Sequence, residues 1–170
     1  MHRARFLFLA FLVGIISSTG CPKGKEPNID ERREPGLADS SAIRQRLAVR
    51  SYDGLATRQR LVVRDSATWV TIWQQLVSNH SPIPAVPVVD FASNVVIIAA
   101  MGTKNSGGYS IEIEDVRIVG RDARISVAER SPGEDCIVTA AITAPVAAVV
   151  APRFPGQATF LERTEQQACR

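Results

Sequence analysis

His80, the carboxylates Glu112, Glu114 and Asp115, and the cysteines Cys136 and Cys169 are the residues of this chain whose types could carry chemistry. Past the first twenty residues His80 is the only histidine. A nucleophilic Ser-His-Asp or Cys-His site needs its histidine oriented by a third group. Nothing near Asn79-His80-Ser81 in the sequence supplies one, so His80 is read as a surface-loop residue. Structural zinc needs clustered Cys and His, and the two cysteines lie far apart without histidine partners. Glu112 and Glu114 alternate as on a strand, which puts both on one solvated face rather than around calcium. Neither Gly107-Gly108 nor Pro132-Gly133 has the strand–loop–helix setting of a phosphate loop. No catalytic residue, metal or cofactor is therefore expected, and the chain is read as non-enzymatic.

Charge narrows the partners. The formal net charge is +3, but Arg3 and Arg5 fall in a segment read below as removable, leaving eighteen cations against seventeen anions. The basic residues are interspersed with acidic ones and form no stripe, which excludes a nucleic-acid face.

The polar run Thr103-Lys104-Asn105-Ser106-Gly107-Gly108-Tyr109 stands out between two apolar segments. Paired glycines allow backbone conformations that residues with a Cβ resist. These seven residues are the candidate protein-binding surface, with Tyr109 as a large amphipathic contact. The alternative is a hairpin turn registering a buried strand against an alternating one, with Tyr109 packed on a helix.

The elements around this run follow from periodicity. Arg60 to Arg64 reads as a strand. Asp65-Ser66 offers a helix cap, and Trp69, Ile72, Trp73, Leu76 and Val77 make one apolar stripe over about three turns. The tryptophans are expected to cover a sheet. Asn79 and Pro82 stop the helix, and Pro82 to Pro87 is an extended connector. Asn94 to Met101 is an unbroken apolar strand, buried on both faces. Tyr109, Ile111 and Ile113 alternate with Glu112 and Glu114, and the phase slips at Glu114-Asp115, which predicts a bulge. Gly120-Arg121-Asp122 turns into a strand at Ile125 to Val127. Ile137 to Thr143, Val146 to Val150 and Gln157 to Leu161 are read as further strands, with Pro145 forcing a bend or an edge. One helix and six to eight strands predict an α+β domain: a mainly antiparallel sheet, or a small sandwich, with one amphipathic helix packed on it.

The start of the chain is basic at Arg3 and Arg5, apolar from Phe6 to Ile16 and small from Ser17 to Gly20, the order of an export signal. Directly after it, Cys21 makes the segment resemble a bacterial lipoprotein signal, in which that cysteine carries the lipid. The pattern usually has leucine where Ser18 stands. Residues 1–20 are thus expected to be a signal peptide. Residues 21–50 are expected to be a lipidated cysteine and polar tether, and 51–170 the domain. Within the tether, Ile43 and Leu47 at helical spacing predict a short helix over Ser41 to Arg50. With Cys21 lipidated, Cys136 and Cys169 remain as an even pair in an oxidising compartment. Such a disulfide closes a loop worth roughly 3.5–4 kcal/mol of chain entropy. The expected location is the bacterial cell envelope, on the extracytoplasmic side of a membrane.

Met101-Gly102-Thr103-Lys104-Asn105-Ser106-Gly107-Gly108-Tyr109 resembles the core motif of the PrcB family C-terminal domain, an apolar strand entering a G-x-x-x-[ST]-G-G-Y turn. The Trp69/Trp73 helix, Pro87 to Phe91, Ser131-Pro132-Gly133 and Ile142 to Pro145 accompany it, so the resemblance covers roughly residues 55 to 162. It implies an exported, membrane-tethered binding or assembly module. The family's namesake is similar to an accessory lipoprotein subunit of a surface protease complex, so the implied partner is another exported protein, such as a protease. Asn105 to Tyr109 also partly resembles the N-P-[ST]-T-G-[YF] loop of chagasin-like cysteine-protease inhibitors, without its proline and tryptophan. That resemblance implies inhibition through the same loop.

Overall fold

A computed structural model describes residues 41–50 and 53–168. The signal, Cys21, most of the tether and Cys169 lie outside the described residues. Among the described residues seven strands form two sheets, accompanied by one helix. In chain order the elements are β1 (Gln45–Leu47), β2 (Arg58–Val63), α1 (Ser66–Leu76), β3 (Asn94–Met101), β4 (Ser110–Val119), β5 (Asp122–Pro132), β6 (Val146–Pro152) and β7 (Ala158–Gln167). The first sheet has the order β1-β6-β3-β2 and the second β4-β5-β7.

The unbroken apolar run of β3 is explained by what covers it. Val96, Ile98 and Ala100 face one way, against Trp69, Trp73 and Leu76 of α1 and against Leu47 and Val150. Val95, Ile97 and Ala99 face the other way, against Ile113, Val116, Ile125 and Val127 of the second sheet. Both faces are buried, so period-two alternation vanishes from the sequence. The domain is three layers deep: helix, four-stranded sheet, three-stranded sheet. Both tryptophans are core residues, as their spacing predicts.

Asp65 caps α1 by accepting from the Thr68 backbone N–H at 2.8 Å and the Thr68 hydroxyl at 2.9 Å. The proline connector has a definite task. Carbonyl oxygens of Pro87 and Pro84 accept the indole N–H groups of Trp69 (2.9 Å) and Trp73 (3.2 Å). A buried indole N–H left unbonded would be costly. The β4–β5 hairpin turns at Gly120, and its register shifts between Ile113 and Asp115, where the phase slip predicts a bulge.

Four expectations are corrected. Ser41 to Arg50 is not a helix, and the folded unit begins ahead of residue 51. Gln45–Leu47 pairs antiparallel with β6, and the Ala42 amide donates to the Val116 carbonyl at 2.7 Å. Ile43 and Leu47 enter opposite cores. A helix this short carries the full nucleation cost, whereas the strand satisfies open edges of β6 and β4. Second, Thr103–Tyr109 is not a hairpin turn: β3 and β4 belong to different sheets, and the loop crosses between them. Third, Ile137 to Thr143 is not a strand; its only ladder contact is an isolated bridge between Lys104 and Thr143. Its polar groups are used by the loop described below, and Ile137 and Ile142 point to solvent. Fourth, the last strand runs on to Gln167. Its second half is a polar sheet edge held by ion pairs, so no apolar alternation marks it. The pairing is mainly antiparallel, as expected; β7 lies parallel to β5, because β6 in the other sheet serves as the crossover that returns the chain in the same direction.

Between the sheets, near β2 and β7, the apolar core gives way to charge. Arg58 and Arg60 of β2 meet Glu129 of β5 and Glu162 of β7. Arg60 and Glu129 have side chains only 11% and 12% exposed, so this cluster is largely removed from water.

Candidate functional site

The Thr103–Tyr109 loop is held by hydrogen bonds outside both sheets. Gly102, at φ +72°, turns the chain out of β3, and Thr103 donates through its amide to the Ala56 carbonyl at 3.1 Å. Lys104 and Thr143 exchange amide–carbonyl bonds of 2.7 and 3.0 Å. The Gly107 amide donates to the Thr139 carbonyl at 2.9 Å, and the Thr143 hydroxyl donates to the Ser106 carbonyl at 2.8 Å. Asn105 lies exposed at the tip. The Lys104 ammonium sits 5.3 Å from the centre of the half-buried Tyr109 ring. The structure thus brings all seven residues together and adds the 137–143 segment as their clamp. Reading the sequence missed that segment, because Ile137 and Ile142 resemble strand residues.

The glycines of the motif are not equivalent. Gly102 and Gly108 have φ values of +72° and +84°. A Cβ on Gly102 would lie 2.9 Å from the Arg58 backbone nitrogen, and one on Gly108 would lie 3.0 Å from both Pro132 and Val138 side-chain atoms. Gly107 has no positive φ, and the nearest atom to its Cβ position is 3.5 Å away. Gly102→Ala is expected to cost about 2–3 kcal/mol from left-handed strain plus a backbone clash. Gly108→Ala should cost about 1–2 kcal/mol, and Gly107→Ala less than about 0.5 kcal/mol. Urea denaturation of the three variants checks this ranking; a Gly107→Ala loss as large as that of Gly102→Ala contradicts it.

Beside the loop, Ile137 and Ile142 are 102% and 75% exposed. A cleft of about 1070 Å³ adjoins Ile137, lined also by Gly108, Arg130, Cys136, Glu165 and Gln167. The guanidinium of Arg130 donates to Glu165 at 3.0 Å, Glu112 at 3.2 Å and Glu114 at 3.5 Å. Its charge is already neutralised and offers little to an incoming anion. The Cys136 sulfur lies 3.8 Å from the Gln167 carbonyl oxygen, two residues before Cys169.

His80 is placed differently from the sequence reading. Its Nε2 bonds to a carboxylate oxygen of Asp53, whose other oxygen accepts the Arg50 amide at 2.7 Å. The Asp53 side chain is 3% exposed. An orienting carboxylate therefore exists, 27 residues upstream, where no local signal could reveal it. The cavity of about 230 Å³ beside the pair is lined by Ala48, Val49, Arg50, Trp73, Val77 and Pro84 in addition to the pair itself. Its walls carry no hydroxyl or thiol that could act as a nucleophile. The pair joins the segment before β2 to the loop after α1.

Glu112 and Glu114 share a face, as alternation predicts, but that face is a lattice of ion pairs. Glu114 bonds to both Arg163 and Arg130, and the Arg163 hydrogen bond holds its carboxyl below the usual carboxylate range. Burial pushes the Asp115 carboxyl up, while bonds from Arg117 and Ser41 bring it below its ordinary value on balance. Among the described residues no group of three or more His, Cys, Asp or Glu side chains could hold a metal ion. No helix among them is long and apolar enough to cross a membrane.

Fold and loop together define a class: a helix-backed, two-sheet β domain with one glycine-rich loop clamped outside both sheets. Residues 95–152 match the family described as PrcB C-terminal. The match runs from β3 through β6 and contains the whole loop and its clamp; α1 and β7 flank it. No curated protein and no solved structure matches the chain.

Proposed function

We propose that this chain is an exported, membrane-tethered, non-enzymatic lipoprotein that binds or assembles with another exported protein, a protease being the partner suggested by the family's namesake. In this reading Cys21 carries the lipid, a Cys136–Cys169 disulfide secures the end of β7, and residues 103–109 with Ile137 and Ile142 form the contact surface. The observation that carries it is the clamped loop set beside two large, exposed apolar side chains, Ile137 and Ile142. A surface ordered before binding loses little entropy on association, and exposed apolar residues on a soluble domain mark interaction sites when they cluster. The basic and apolar start of the chain, followed by small residues and Cys21, supports export and tethering. The position of the Cys136 sulfur beside Gln167 supports the disulfide.

Ile137→Asp and Tyr109→Ala are expected to reduce recovery of a native envelope partner at least about tenfold, the effect of losing one hot-spot residue. Ile137→Asp should leave stability within about 0.5 kcal/mol, since the side chain packs on nothing. Affinity capture from envelope extract, with thermal unfolding as the fold control, checks both. Undiminished capture by the folded variants contradicts the reading.

A further inference from the structure

We propose that two copies of this chain associate through the outer edge of β7, paired antiparallel about a two-fold axis at Thr164. The sheet edges are not treated alike. The β4 edge meets the Ala42 amide and the Ser41 hydroxyl, and the edge strands of the first sheet are short, β1 with three residues and β2 with six. β7 is paired over ten residues with β5 on one side only. Among the described residues, nothing forms a backbone hydrogen bond along its other side. An unpaired strand edge of this length is a template for another strand.

The sequence of β7 selects the occupant. Side chains of Leu161, Arg163 and Glu165 share the outer face of the sheet, while Glu162 and Thr164 lie on the face that meets β2. Antiparallel registers centred on Glu162, Arg163 or Glu165 each set like charges directly opposite, which is destabilising. Centred on Thr164, the register sets Arg163 opposite the partner's Glu165 and Glu165 opposite the partner's Arg163. It also sets Glu162 opposite the partner's Gln166 and Thr164 opposite its own copy. Arg163 already bonds to Glu114 on β4 and to Glu165 of its own strand, so the new pairs extend an existing row of alternating charge across the axis. The charges that would discourage indiscriminate edge pairing thus favour this one register, giving a six-stranded sheet across the dimer.

The test uses the full chain in two measurements. Sedimentation velocity of the unmodified chain should show a concentration-dependent monomer–dimer equilibrium. Under mild oxidation, Thr164→Cys should give at least about tenfold more covalent dimer than Gln166→Cys. Only the former brings symmetry-related Cβ atoms within disulfide reach, the latter being offset by about 13 Å along the strands. Both positions are exposed, so neither change threatens the fold. A chain that stays monomeric at high micromolar concentration overturns the proposal. So does a dimer in which Gln166→Cys crosslinks as well as Thr164→Cys.

Discussion

Arg60→Leu is expected to lower the unfolding free energy by about 3 kcal/mol, the low end of the loss for one partner of a buried ion cluster. Arg60 contacts Glu129 and Glu162 together and also donates to the Ala100 carbonyl at 2.8 Å. Without it, Glu129 is left almost dry, with only the half-exposed Arg58 at 3.1 Å. The loss is therefore an uncompensated charge more than a missing attraction. Arg60→Leu combined with Glu129→Leu should recover much of the stability, because an apolar pair of similar volume replaces the buried charges. Acid adds a second signature. Burial pushes the Glu162 carboxyl up, but hydrogen bonds from Arg58 and Arg60 hold it below its ordinary value on balance. A carboxyl depressed in the folded state stabilises fully above its unfolded value, near pH 4.5. That contribution is lost as pH falls through the lower folded value. Arg60→Leu should accordingly unfold at a higher pH on acid titration. Urea denaturation at pH 7 and an acid titration by circular dichroism check these outcomes; a loss below about 1 kcal/mol would place the cluster with ordinary surface pairs.

The other large effect is expected at Trp69. Trp69→Ala should cost about 3–5 kcal/mol, as a nearly buried indole leaves a cavity between α1 and the first sheet. Its ring centre lies 5.4 Å from that of Trp73, so collapse around the gap is limited by a second large ring. Trp69→Phe should cost less but still more than about 1 kcal/mol, since the Pro87 carbonyl loses its donor. Because Trp73 remains as a fluorophore, the unfolding of both variants can be followed by its emission. Trp69→Phe as stable as the parent would remove the connector carbonyls from the account of the core.

The parts of this fold legible in the sequence are those where one short-range pattern has one physical cause. The cap at Asp65, the Trp69–Trp73–Leu76 stripe, the twice-buried β3 and the bulge after Ile113 are of this kind. The misread elements have long-range causes. Gln45–Leu47 is a strand because β6 has an open edge about a hundred residues later. The second half of β7 is ordered by carboxylate–guanidinium pairs with β2, β4 and β5, which leave no periodic trace. The same division holds at the candidate site. Gly102 and Gly108 announce a special backbone, and the family match spans that loop. What holds the loop in place is contributed by Thr139 and Thr143, and what orients His80 is contributed by Asp53. Neither relation is encoded in local spacing.

The central claim, that the clamped loop and its neighbouring isoleucines form a protein-contact surface outside the cytoplasm, is tested most directly by site-specific photocrosslinking in intact cells. One probe would replace Ile137. A control probe would replace Val119, an exposed apolar residue at the far end of β4, about 30 Å along that strand from the end that follows the loop. The account predicts a discrete crosslinked species from position 137, lost when Tyr109→Ala is added, and none of the same mass from position 119. Equal adducts from both positions, or none from position 137 in cells that export the folded chain, would contradict it.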